Sequence, residues 1–185
     1  IGFVRGPEDR LATRLLKATF VDAPGPHVGE FLRADAIVRI TGDCPLIDPE
    51  VVDLAVTAWR RESQTHYVAN VPVRTWPEGL DCEVMSCSLL EWLRDEAKPP
   101  TADPLAEESP SEWIWKHREA LDHLTITSSP MPPPYAGLHW SVDTAEDLDG
   151  ARRVYERLPE GFSWREVIEE FGALGLPEIA KNGPR

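Results

Sequence analysis

The stretch that most constrains this chain is ADAIVRITGDCPLIDPE, residues 34–50, where an almost unbroken apolar run ends in Gly42-Asp43 and a second Asp-Pro pair opens a helical pattern. A strand that is apolar at nearly every position belongs to a sheet covered on both faces. A strand passing into a helix within ten residues implies layered α/β architecture. Asp43 stands at the mouth of that strand, where an unpaired carboxylate would cost several kcal/mol if it were truly buried. Its position therefore asks for a partner: a helix N-terminus, or a cation.

The rest of the chain repeats the alternation. Residues 1–4 (IGFV) read as a strand ended by Gly6-Pro7, and PEDRLATRLLKATF, residues 7–20, has the spaced leucines of an amphipathic helix. DAPGPHVG breaks the pattern at 22–29. In PEVVDLAVTAWRRE, residues 49–62, Asp48 suits the N-cap, Pro49 and Glu50 the first turn, and Val52, Ala55, Val56 and Trp59 share a face. THYVANV (65–71) and DCEVMS (81–86) read as strands, and CSLLEWLRDEA (87–97) as a helix capped by Ser86 or Ser88. The acidic, proline-rich run 98–112 predicts a flexible, solvated loop. SEWIWKHREAL (111–121) predicts a short helix, HLTITSS (123–129) a strand, SPMPPPYAG a stiff connector and LHWSVD (138–143) another strand. TAEDLDGARRVYERL, with Thr144 as N-cap, and SWREVIEEFGAL close the chain as helices. A single domain over residues 1–185 is the expectation for this length.

A formal net charge of −13 disfavours bulk binding to nucleic acid or to an anionic membrane, though phosphate chemistry stays open where a divalent cation intervenes. Three cysteines, Cys44, Cys82 and Cys87, show no C-x-x-C spacing and read as reduced thiols of a cytoplasmic protein. No apolar run is long enough to cross a bilayer. The chain opens at Ile1 inside an apolar run, which suggests part of something longer.

In α/β sheets, ligands sit beyond the carboxyl ends of the strands. Two positions share one local order there: Asp43 after AIVRIT and Asp143 after LHWSV, each followed by a helix. Two carboxylates at neighbouring strand ends would suit Mg²⁺, which takes one or two protein carboxylates and fills its other positions with water and phosphate. The competing reading is a helix N-cap, which is the commoner use of such an Asp. Asp48 and Thr144 are better placed as caps, which leaves Asp43 and Asp143 without that task. Arg39 reads equally as a phosphate or carboxylate ligand and as a snorkelling strand residue. NVPVRTWPEGLDCEV, residues 70–84, concentrates Asn70, Arg74, Gly79, Asp81 and Glu83 in one loop, suited to a polyhydroxylated acidic ligand. His66, His117, His123 and His139 have no partner spacing and read as surface or strand residues.

ADAIVRITGDCPLIDPEVVD, YVANVPVRTWPEGLDCEVMS, LHWSVDTAEDL and FSWREVIEEF, in this order over nearly the whole chain, resemble the cytidylyltransferase family of the spore-coat polysaccharide biosynthesis type. That family is related to the acylneuraminate and 3-deoxy-manno-octulosonate cytidylyltransferases. The resemblance implies a Rossmann-like nucleotidyltransferase fold with a mostly parallel sheet. It implies a reaction in which CTP and a sugar, often an ulosonic acid, give a CMP-sugar and pyrophosphate. Asp43 and Asp143 match the family's catalytic, Mg²⁺-holding turns. In that reaction Arg39 and Arg74 would help hold phosphate or sugar carboxylate, with Asn70, Gly79, Asp81 and Glu83 as further candidates on the substrate rim. A homodimer is a candidate assembly on the same ground. The family's first strand-loop-helix unit, with its Gly/Arg nucleotide loop, has no counterpart in these residues. AEESPSEWIWKH keeps only Glu108 of an Arg-Glu-His-Val-Thr segment, and His139 stands where Leu-Arg-Trp has its Arg. A non-catalytic sugar- or partner-binding protein of the same fold is the alternative.

Overall fold

The computed structural model describes residues 5, 8–22, 31–61, 65–71, 73–96, 100, 102–121, 123–125 and 135–183. The strand expected at 1–4 and the Pro-rich connector at 129–134 lie outside them. The chain forms two compact units interleaved in sequence: unit 1 from Ile1–Val38, Trp59–Val68 and Val84–Leu124, unit 2 from Arg39–Ala58, Ala69–Glu83 and Thr125–Arg185.

A four-stranded sheet has the order β3-β5-β4-β6, from β3 (Ala36–Arg39), β4 (Tyr67–Ala69), β5 (Glu83–Ser86) and β6 (His123–Thr125). β5 runs antiparallel to β4 in this sheet. Ser86 N donates to His66 O at 2.9 Å and Asn70 N to Cys82 O at 3.4 Å, so an ascending run pairs with a descending one. The cause is the connection: a parallel neighbour needs a crossover, usually a helix, and no helix lies between β4 and β5. A separate antiparallel ribbon, β1 (Phe20–Asp22) with β2 (Phe31–Arg33), flanks the Pro/Gly break.

In unit 1, α1 (Leu11–Ala18) packs with α3 (Cys87–Glu96) and α4 (Pro104–Glu108). The helix expected from residue 7 starts only at Leu11, with Glu8 and Asp9 in a turn and no side-chain cap from Arg10. Ser86 caps α3, its hydroxyl accepting from Leu89 N at 3.1 Å. Residues 102–112, expected as a flexible loop, instead carry α4 and the start of α5 (Pro110–Lys116). Two of the prolines behind the loop expectation, Pro104 and Pro110, occupy first turns, where a fixed φ and a missing N–H suit a helix. Asp103 caps α4 through Leu105 N, and buried Glu107 accepts from Thr13 N of α1 at 2.8 Å. Ala106, Trp113 and Ile114 are buried, which gives these short helices an apolar reason to form.

Unit 2 has its own apolar core, including Leu46, Trp76, Leu80, Trp140, Val154, Trp164, Phe171, Leu176 and Ile179. Around it lie the first turns of α2 (Pro49–Arg61), then α6 (Ala145–Arg157), α7 (Trp164–Phe171) and α8 (Leu176–Asn182). The buried face of α2 runs through Val51 and Ala55, one residue earlier than Val52 at its leading edge. LHWSVD is held by a single parallel bridge, Glu78 with His139, rather than a strand ladder. α8, which the sequence reading did not separate from the tail, packs on α6 where Gly150 leaves room: a Cβ there would run into the Leu176 backbone. Among the described residues, no helix is long and apolar enough to cross a membrane.

Candidate functional site

The candidate site residues Arg39, Asp43, Asn70, Arg74, Gly79, Asp81, Glu83 and Asp143 all lie in unit 2. Asp43 is exposed at the end of the apolar run, so the burial cost that made it conspicuous is not incurred. The Thr41 hydroxyl beside it holds its carboxyl below the usual carboxylate range, outweighing the opposing effect of burial, with help from its own backbone, Cys44 and the charge of Arg39. Cys44 Sγ lies 3.0 Å from Thr41 Oγ1 and 3.6 Å from Asp43 Oδ1, and burial pushes its thiol up. The helix that follows is capped by Asp48, whose Oδ1 accepts from Glu50 N at 2.7 Å. Asp43 is thus free of capping.

The second turn is built differently. Thr144 caps α6, its hydroxyl accepting from Asp147 N at 3.2 Å, while Asp147 Oδ2 accepts from Thr144 N at 2.7 Å and Thr144 Oγ1 at 2.8 Å. Asp143 N also donates to that oxygen, at 3.0 Å. Asp147 is buried, and burial works to raise its carboxyl, but these hydrogen bonds together with His139 hold it below the usual range. Asp143 itself is exposed. Its Oδ2 lies 3.2 Å from His139 Nε2, and His139 Nδ1 lies 3.1 Å from Glu78 Oε2. Burial disfavours the charged imidazole, yet the Glu78 hydrogen bond and the charges of Glu78, Asp147 and Asp143 win, raising His139 above its ordinary value. Sequence spacing assigns His139 no partner; its neighbours come from another loop and from the turn before α6, where helical spacing rules do not apply. Asp147 was legible, as the acidic third residue of a Thr-x-x-Asp capping box.

The two turns meet through the backbone: Val142 N donates to Asp43 O at 2.8 Å. The neighbouring strands β3 and β5 and the loop between β4 and β5 bring the remaining candidates together in pairs. Arg39 forms an ion pair with buried Glu83. Arg74 grips Asp81 with two bonds, Nη1–Oδ1 at 2.9 Å and Nη2–Oδ2 at 3.2 Å. Asn70, expected on the substrate rim, is 2% exposed; Nδ2 donates to Leu80 O at 2.8 Å and Oδ1 accepts from Cys82 N at 2.9 Å. Both ends of its amide are spent on fixing the loop, so it shapes the rim. Gly79 has φ +102°, and a Cβ would stand 2.5 Å from the Trp140 carbonyl carbon. Only glycine allows the loop to lie this close to the segment leading to Asp143.

Chemically, the two turns offer exposed oxygen donors beside a rim of paired arginines and carboxylates. Exposed carboxylates such as those of Asp43 and Asp143 are the kind of oxygen donor a hard cation takes. His139, Asp143 and Asp147 also each present one ligand atom, all within 4.8 Å of one another. Asp147 is the weaker donor of these, because its Oδ2 already accepts three hydrogen bonds.

No family model matches the chain. It is 27% identical over 157 residues to the spore coat polysaccharide biosynthesis protein SpsF of Bacillus subtilis (strain 168), a match covering 84% of this chain. The chain spans 58% of the length of that curated relative. The solved structure of a cytidylyltransferase from Leptospira borgpetersenii serovar Hardjo-bovis (strain JB197) superposes with a TM-score of 0.70 at 26% identity, covering 98% of this chain and 69% of that one. By sequence the chain is similar to that spore-coat protein, and by fold it is similar to that cytidylyltransferase.

Proposed function

We propose that this protein transfers CMP from CTP to a sugar hydroxyl and releases pyrophosphate, in the making of a polysaccharide precursor. The observation that carries the reading is the Val142–Asp43 hydrogen bond, which sets the two exposed aspartate turns side by side. Likeness to a cytidylyltransferase over 98% of the chain supports it. An ulosonic acid, the sugar the resemblance implies, is the first substrate to try.

In such a transfer the sugar oxygen attacks the α-phosphorus in line, a P–O bond forms, and the bond to pyrophosphate breaks. Nothing covalent is asked of the protein, so its work is positioning and charge neutralisation. Asp43 and Asp143 would hold Mg²⁺. Bound there, the ion would supply Lewis-acid polarisation of the phosphate and a lowered pKa for the attacking hydroxyl. The Arg74–Asp81 pair presents donors and acceptors together, a combination suited to sugar hydroxyls and carboxylate. Asn70 fixes that loop, and Gly79 lets it lie against the segment leading to Asp143. Three buried cysteines that form no disulfide fit a reducing, cytoplasmic setting.

The test is pyrophosphate release in the presence of Mg²⁺ and an ulosonic acid, with CTP, UTP and ATP compared. Release from CTP alone is expected. Sugar binding without turnover for any CTP and sugar pair would favour the non-catalytic reading instead.

A further inference from the structure

We propose that Asp48 is a positioning residue for the transfer reaction, its single carboxylate tying the N-termini of α2 and α7 together and so setting the Asp43 turn against the segment that carries Asp143. This rests on the cytidylyltransferase reading above. Asp48 is 4% exposed. Its Oδ1 accepts from Glu50 N at 2.7 Å in the first turn of α2, and its Oδ2 accepts from Trp164 N at 2.7 Å, the first residue of α7.

The second bond is the informative one. A helix start leaves amide donors without partners, and a side-chain oxygen normally meets one of them. α7 already has a complete capping box: Ser163 Oγ accepts from Glu166 N, and Glu166 Oε2 accepts from Ser163 N at 2.8 Å. One oxygen of Asp48 would likewise suffice to cap α2. The box leaves Trp164 N, the first amide of α7, without a partner, and Asp48 meets that buried donor from 116 positions away in sequence, so the bond joins two helices.

What it joins is the Asp43 turn. That turn is held at its start by Val142 N on Asp43 O and in its middle by Tyr155 Oη, which donates to Pro45 O at 2.6 Å. Asp48 holds its end. Just beyond, Arg165 Nη2 donates to Glu50 Oε1 at 2.9 Å, an exposed reinforcement of the same junction. Leu46, Val51 and Trp164 lie in one apolar core beneath. Residues 43–48 are thereby fixed along their length to the elements around Asp143, and the carboxylate of Asp48 is the buried polar member of that set. Two aspartates that must share one ion need a fixed spacing, and groups behind the ligands commonly supply it.

The decisive variant is Asp48→Ser, which keeps a good N-cap for α2 and is too short to reach Trp164 N as well. Asp48→Asn is the second, because it places an amide donor against one of the two backbone donors. Ser163→Ala is the control, weakening α7 without touching Asp48. Amide hydrogen exchange at Val142, Cys44 and Ile47 should quicken roughly tenfold in the Asp48 variants and stay at the wild-type rate in Ser163→Ala. Mn²⁺ affinity, measured by electron paramagnetic resonance on the whole chain, should fall roughly tenfold, and kcat should fall while KM for the sugar holds. The proposal is overturned if these amides exchange as in the control, or if exchange quickens while Mn²⁺ affinity and kcat stay put. A wild-type protein that binds no Mn²⁺ and consumes no CTP, yet whose Val142 exchange responds to Asp48→Ser, would overturn the reading of the function and leave the clamp standing.

Discussion

After Asp43, residues 44–48 intervene before α2 begins; after Asp143, Thr144 alone precedes α6. The two turns share an apolar approach, an aspartate and an acidic helix start, and they are stabilised by different means. The longer turn frees Asp43 from its helix, hands capping to Asp48, and needs anchors along its length. The shorter one places Asp143 directly beside a capping box, where His139, held in turn by Glu78, answers its carboxylate. Local order along the chain sets where each aspartate sits; the residues that reach it from elsewhere set its electrostatics.

The largest effect would come from removing either carboxylate. Asp43→Asn and Asp143→Asn should each lower kcat/KM by about a thousandfold, some 4 kcal/mol of transition-state charge stabilisation, with chelation of Mg²⁺ abolishing turnover in the wild type. Steady-state kinetics over a Mg²⁺ series checks this; a turn whose substitution leaves the rate intact has no share in the chemistry, and the parallel between the two ends there. Next is Gly79→Ala, which sharpens the comparison by disturbing the Asp143 side through Trp140 and Ser141. Strain at positive φ and the backbone clash should cost about 2–3 kcal/mol in urea unfolding.

Thr144→Ala removes the cap of α6 and should cost about 1 kcal/mol, again on the second turn alone. Unfolding in urea reads it, and a neutral result would mean that Asp147 holds the turn without its partner. Asp81→Asn should change stability by only about 0.5 kcal/mol, since the pair with Arg74 is half-exposed, and should show itself instead as a higher KM for the sugar. Smallest of all is the response of the thiols. Cys44 belongs to the first turn and Cys82 to the loop; both are buried, and burial pushes Cys82 up to about 12. At pH 8 both should alkylate far more slowly than in the unfolded chain, with reactivity rising as pH rises. A Cys44 that reacts at the unfolded rate would show that the first turn is open.

Much of this was written along the chain. Helical periodicity located α2, α3, α5, α6 and α7, and short polar residues located three of the caps: Asp48, Ser86 and Thr144 each accept from the helix they precede, as Ser163 also does for α7. Such features are legible because they involve residues within four positions of each other. The acidic, proline-rich run before α5 misled for the same reason. Its composition is that of a loop, and its helices depend on Glu107 meeting Thr13 N, a contact no local pattern announces.

The candidate residues followed the same division. Their identity and their placement beyond strand ends came from sequence, since a charged residue closing an apolar run has few structural uses. Their partners did not, because pairing across long separations is a property of packing. Tertiary structure alone decided that Arg39 meets Glu83, that Asn70 spends its amide on Leu80 and Cys82, and that His139 joins Glu78 to Asp143. Sequence by itself determined an α/β chain with two aspartates at two strand ends. Folding decided that these ends lie side by side, through one hydrogen bond between residues 43 and 142, because only a packed core brings such distant backbone within reach.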